Sequence, residues 1–301
     1  MKFDAAPRDH SAILARRCPG WIAATWAWQA GLAMVVAWPA ASIAGEAFGR
    51  DPRGDGPLWD PGGLPLLVFL SRDANAVRGI LNLAAIVFVG AAVAGLLPAA
   101  ALMIAMSDAA NRRRRRSISR VCARAVRAFP ALAILLVVVT LVESSAAGGA
   151  WVAVKLIDVW AHDAWGEARA EAIEMAVCLA ALVPLAAVLG VVHDLARASV
   201  VRYRVGAARA LFLGARAFRL TPWSLSWAWA WRAGLAWGVL LPAAALADAM
   251  GSRSGETFVL LACLHESTIG VRAALRASWM ARALGRVNEP LDQAGRGPRY
   301  T

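Results

Sequence analysis

Six apolar stretches, each long enough to cross a bilayer, constrain this chain more than any other feature. They fall at about residues 20–44, 79–106, 130–153, 171–193, 222–247 and 256–281. A helix rises about 1.5 Å per residue and the hydrocarbon core is about 30 Å thick, so roughly 20 apolar residues span it. Lipid offers no partner to a free amide, so such spans are read as helices. The whole chain agrees: of 301 residues, 59% are hydrophobic and 17% charged, with mean hydropathy +0.54. Soluble domains carry about a quarter charged residues. The expected fold is all-α, an integral membrane bundle of six transmembrane helices forming one domain over 1–301. The short polar tail, 289–301, is expected to be disordered.

The spans pair into hairpins at about 19–106, 130–193 and 222–281. An Arg-x-x-Pro opens each one, at Arg16/Pro19, Arg127/Pro130 and Arg219/Pro222. A small residue or His followed by an acid closes each: Ser107-Asp108, His193-Asp194 and His265-Glu266. Proline suits the first helical turn, where its missing N–H had no partner, and arginine just before it stays among headgroups. Internal duplication and shared boundary chemistry both account for the pattern.

The net charge of +12 is unevenly placed. With the amino terminus inside, segments 1–18, 107–129, 194–221 and 272–301 hold 24 of the 32 Lys and Arg and only 6 acids. This is the positive-inside pattern, and it predicts both termini on the cytoplasmic side. The sharpest basic run is Arg112, Arg113, Arg114, Arg115 and Arg116. It is read as a topology determinant that contacts anionic phospholipid at the inner face, or a partner there. Without aromatic interleaving or a recognisable module, it does not point to nucleic acid. Connectors 107–129 and 194–221 read as amphipathic helices lying in the headgroup plane. Arginine-heavy, alanine-rich usage suggests a GC-rich bacterial genome, hence the inner membrane, and no cleavable signal peptide is evident.

Ionisable groups inside spans are costly and therefore candidates for function. Glu143 and Arg232 fall at similar predicted depths, so an ion pair between them is expected. His265 and Glu266 lie deep in the sixth span, and His265, Thr268, Arg272 and Arg276 form a polar stripe at helical spacing. Glu143, Arg232, His265 and Glu266 are thus the candidate intramembrane polar cluster, either a register-fixing structural pair or part of an ion path. Gly234-x-x-x-Gly238 offers close helix packing. The tryptophans at 223, 227, 229, 231 and 237 cannot all share one face, and interfacial anchoring is their default role.

Enzymatic constellations are missing: there is no HExxH, GxSxG, Walker A or dinucleotide fingerprint. Isolated cysteines and scattered histidines support no cofactor and no metal; His162-Asp163, near Glu167 and Glu171, is read as an outer loop. Asp194-Leu195-Ala196-Arg197 after a span, and Ala208-Arg209-Ala210 through Pro222 before the next, are similar to a connector in uncharacterised bacterial polytopic proteins. These include the membrane region attached to some bacterial glycerophosphodiester phosphodiesterases. The resemblance covers about a third of the chain and implies a membrane region only, since the catalytic domain has no counterpart here. The expected function is a non-enzymatic membrane bundle acting as an accessory or partner-binding subunit, alone or as a homo-oligomer. The alternative is a small-solute or ion permease that uses the intramembrane charges.

Overall fold

The computed structural model describes residues 15–48, 68, 71, 74–110, 117–165, 167–250 and 255–287. Among them all regular structure is helical: α1 (Pro19–Phe48), α2 (Ala74–Ala94), α3 (Leu96–Ala110), α4 (Ile118–Trp165), α5 (Glu167–Tyr203), α6 (Ala207–Leu220), α7 (Pro222–Gly238), α8 (Leu240–Met250) and α9 (Gly255–Arg286). The basic run expected to contact lipid, formed by Arg112, Arg113, Arg114, Arg115 and Arg116, lies outside the described residues. So does the 289–301 tail.

Among the described residues four stretches are long and apolar enough to cross a membrane: Pro19–Ile43, Val77–Ala109, Ile118–Leu156 and Ala172–Tyr203. They match the first four expected spans. The expected fifth is broken at Val239, between α7 and α8, and the expected sixth, in α9, carries Glu256, Glu266, Arg272 and Arg276.

Several helices run through expected boundaries. Pro19 and Pro222 do open helices, but Pro130 lies inside α4, which has already begun at Ile118. The outer loop expected at His162-Asp163 is helix up to Trp165, and α5 resumes at Glu167. The sequence between 154 and 165 contains neither Gly nor Pro, so nothing in it breaks the helix, and Lys155 pairs with Asp158 one turn on at 3.4 Å. The two expected interfacial connectors are likewise mostly extensions of α3, α4 and α5. Only α6 is a separate amphipathic helix among the described residues.

A seven-residue sequence occurs twice. Leu-Leu-Pro-Ala-Ala-Ala-Leu fills both 96–102 and 240–246. In each copy a helix is interrupted one residue earlier, at Gly95 and at Val239, and restarts at the first leucine. Pro98 and Pro242 contribute, having no N–H for the preceding turn and rings that crowd it, although Pro39, Pro130 and Pro184 lie inside unbroken helices.

The core lies at the arginine-rich end. Leu102, Met103 and Met106 of α3, Leu132 and Leu135 of α4, Leu195 of α5 and Trp279 of α9 are buried there. The opposite half is splayed, with Trp38, Phe88, Leu156 and Leu241 all exposed. Acyl chains are as apolar as these side chains, so in lipid they need no cover from protein. α6 seals the packed end by laying Ala207, Ala210, Gly214 and Ala217 against its neighbours. A Cβ on Gly214 would come within 2.8 Å of the Ala196 nitrogen and 3.0 Å of the Val192 oxygen. The outward face of α6 mixes exposed Phe212 and Leu220 with Arg209, Arg216 and Arg219. By contrast, nothing approaches within 4 Å of a Cβ built on Gly234 or Gly238. Close helix approach occurs at Gly214 instead.

Candidate functional site: an arginine-lined cavity

Three helices build the site. α7 begins at Pro222 as the first-turn rule requires,, and its tryptophans sort onto two faces. Trp223, Trp227 and Trp231, four residues apart, form one exposed face, while Trp229 turns inward. Arg232, one turn past Ala228, is only 6% exposed. Its Nη1 donates to the Ala228 carbonyl at 2.8 Å and its Nε to Ser278 Oγ at 3.2 Å. The guanidinium carbon lies 4.4 Å from the centroid of Trp231, within cation–π range.

Arg232 is one wall of a cavity of about 460 Å³ between α1, α7 and α9. Arg272 and Arg276 project into it from α9, Trp229 and Trp237 from α7, and Gln29 from α1. Arg272 stands 5.1 Å over the Trp237 ring. Arg276 donates to Asp194 Oδ1 at 2.6 Å, and Trp279 Nε1 donates to Oδ2 at 2.8 Å. Arg197 approaches the same carboxylate at 3.6 Å. Asp194, 4% exposed, is thus the floor that holds α5 to α9. Among the described lining residues, three are arginines and none is acidic.

A second, smaller cavity of about 230 Å³ lies where α3, α4 and α5 meet, lined by Arg124, Arg127 and Arg204. Arg124 grips both oxygens of Asp108, at 3.0 and 2.8 Å, a bidentate pairing that fixes geometry as well as charge. Arg204 has a φ of 55°, a left-handed conformation unusual for a residue with a Cβ, and it makes the turn from α5 into α6. Arg202 nearby donates to Ser107 Oγ at 3.0 Å.

The expected polar cluster is not one cluster. Ser278, the partner of Arg232, lies twelve residues along α9 from Glu266, about 18 Å of helix. Among the described residues Glu143 and Arg232 form no ion pair; Glu143 is exposed on α4. His265 is exposed, whereas Glu266 is partly buried with Oε2 enclosed and without a hydrogen-bond partner. The Glu266 backbone carbonyl accepts from Trp26 Nε1 at 3.2 Å. Of the polar stripe, Arg272 and Arg276 reach the cavity, while Thr268 is buried and bonds back to Leu264. The side chains of His162, Asp163, Glu167 and Glu171 lie outside the described residues.

The three acid pairs also stand at three levels. Ser107 meets Arg202, eight residues beyond Asp194 on α5; Asp194 meets Arg276, ten residues beyond Glu266 on α9. At about 1.5 Å per residue the steps are about 12 and 15 Å. The acid pairs that close the three expected hairpins therefore do not lie on a common plane. Beside the first span, burial raises the pKa of the Cys18 thiol, so it stays protonated and unreactive.

Sequence reasoning singles out Arg232 but pairs it with Glu143 instead of Ser278. It places Arg272 and Arg276 in a stripe without showing that the stripe faces Arg232. Asp194 stands out there only as a boundary marker. The available signal is the antiparallel placement of α7 and α9, which sets Arg232 opposite Arg276 and Ser278. Comparison with protein-family models, curated proteins and solved structures finds no match.

Proposed function

We propose that this chain is a multipass protein of a bacterial inner membrane, crossing it six times with both termini cytoplasmic. It acts as a non-enzymatic bundle, an accessory or partner-binding subunit whose inner end docks on anionic lipid. One observation carries the reading: the core and the arginine network gather at a single end, while the other half offers mainly apolar surface. A bundle built this way presents a rigid basic platform at the cytoplasmic face and anchors it with loosely packed spans. The separation of Arg232 from His265-Glu266 along α9 argues against one charged path running the depth of the membrane. In this topology the break at Val239 is a kink within the fifth span, bridged by the Val239 N–H to Leu235 and the Ala243 N–H to Val239.

Reporter fusions at residues 50, 115, 165, 205, 253 and 301 test the topology. Fusions at 115, 205 and 301 should report the cytoplasm, and the other three the outside. Reconstituted vesicles test the activity. Solute and proton flux should match that of protein-free vesicles; flux abolished by Arg232→Gln would establish the permease instead.

A further inference from the structure

We propose that the cavity lined by Arg232, Arg272 and Arg276 holds the anionic headgroup of an inner-leaflet phospholipid. The inference rests on the inner-end orientation proposed above and assigns the lipid to one site. Charge is the first argument. Three guanidinium groups converge on one cavity from two helices, and no described lining residue is acidic. Asp194 holds Arg276 at 2.6 Å and is approached by Arg197 at 3.6 Å, so among the described residues one carboxylate faces four guanidinium groups, and the excess positive charge draws an anion in.

Polarity within the cavity is the second argument. Its charged end is formed by Arg232, Arg272 and Arg276. One turn farther from the arginine-rich end, the walls become Ala236, Trp237 and Ile269. Trp229, Leu275 and Trp279 add apolar wall beside the arginines, so acyl chains find apolar surface next to the charged groups, whereas a small soluble anion would leave it unused. The volume, about 460 Å³, lies within the range typical of ligand pockets.

Depth is the third. Trp26 reaches the Glu266 carbonyl, and Pro19, where the first span begins, is seven residues before Trp26. Seven residues down α9 from Glu266 is Ala273, between Arg272 and Arg276. The arginines therefore sit at the membrane boundary, where basic pockets between helices hold lipid headgroups. The second arginine cavity is half the size and lies farther towards the packed end.

The test is thermal unfolding of the full-length protein in neutral detergent, titrated separately with phosphatidylglycerol, phosphatidylcholine and inorganic phosphate. Two variants probe the site: Arg272→Gln removes an exposed charge, and Ala236→Trp fills the cavity while leaving every arginine in place. Phosphatidylglycerol should stabilise the wild type, phosphatidylcholine should not, and each variant should need about tenfold more phosphatidylglycerol for the same shift. If both variants titrate like the wild type while neutralising Arg112–Arg116 abolishes the response, lipid is gripped elsewhere. That result overturns this site and leaves the docking function intact. A wild type indifferent to phosphatidylglycerol overturns both. Inorganic phosphate acting as strongly as phosphatidylglycerol overturns the lipid assignment in favour of a soluble anion.

Discussion

The same seven residues, Leu-Leu-Pro-Ala-Ala-Ala-Leu, meet opposite fates in this molecule. At 96–102 they enter the packed end: Leu96 and Leu102 are 2% exposed and Ala100 is fully buried. At 240–246 they lie on the splayed half: Leu241 is 75% exposed against 36% for its counterpart Leu97, and Leu246 49% against 2% for Leu102. Both copies interrupt the helix one residue before the first leucine. Backbone geometry thus follows the local sequence. Burial follows the neighbours, and identical chemistry at the two sites has no say in it.

Substitutions at paired positions test that contrast, each read as unfolding stability in detergent. The largest effect is expected from the buried charge. Asp194→Ala should cost about 4 kcal/mol, because Arg276, Arg197 and Trp279 lose their common acceptor; Glu143→Gln, on an exposed face, should stay within about 0.5 kcal/mol. Equal costs would mean that Asp194 is not the clamp between α5 and α9. Next come the two copies of one leucine. Leu102→Ala should lose about 3 kcal/mol by opening a cavity, while Leu246→Ala should change little. Similar losses at both would show that the splayed half is packed in solution.

Gly214→Ala should cost about 2 kcal/mol, since the new methyl meets the backbone of α5 rather than a side chain that can yield. Gly234→Ala, with open space around it, should be neutral or gain up to about 1 kcal/mol from helix propensity. A neutral Gly214→Ala would remove the close contact between α5 and α6. The smallest effect concerns the pair expected from sequence. Exchanging the charges of Glu143 and Arg232 in a double mutant should show a coupling below about 0.5 kcal/mol relative to the single changes. Strong mutual rescue would restore the ion pair that the structure does not form.

Much of the architecture is legible in the sequence. The apolar runs predict helices, and the first four expected spans match the stretches apolar enough to cross a membrane. Boundaries are less legible. Proline predicts a helix start at three places, yet Pro130 sits mid-helix because Ile118–Phe129 is itself good helical sequence that packs against the core. The candidate site is half legible. Arg232 stands out as a charge among apolar residues, but depth counted from Pro130 and Pro222 assumes that both prolines lie at one level. Depth along a span does not say which helices are neighbours: α7 packs on α5 and α9, and there Arg232 meets Ser278.

Sequence alone determined that the chain is helical and which segments are rich in arginine. Those properties depend on interactions within a few residues and on transfer into lipid, both of which composition and spacing encode directly. Tertiary structure alone decided which arginines share a cavity, which carboxylate lies beneath them, and which copy of the heptapeptide is buried. Those outcomes depend on the relative shift of whole helices, and in lipid the hydrophobic effect does not dictate that shift. Here the clasp of Asp194 by Arg276 and Trp279, and the close seat of Gly214 on α5, set it.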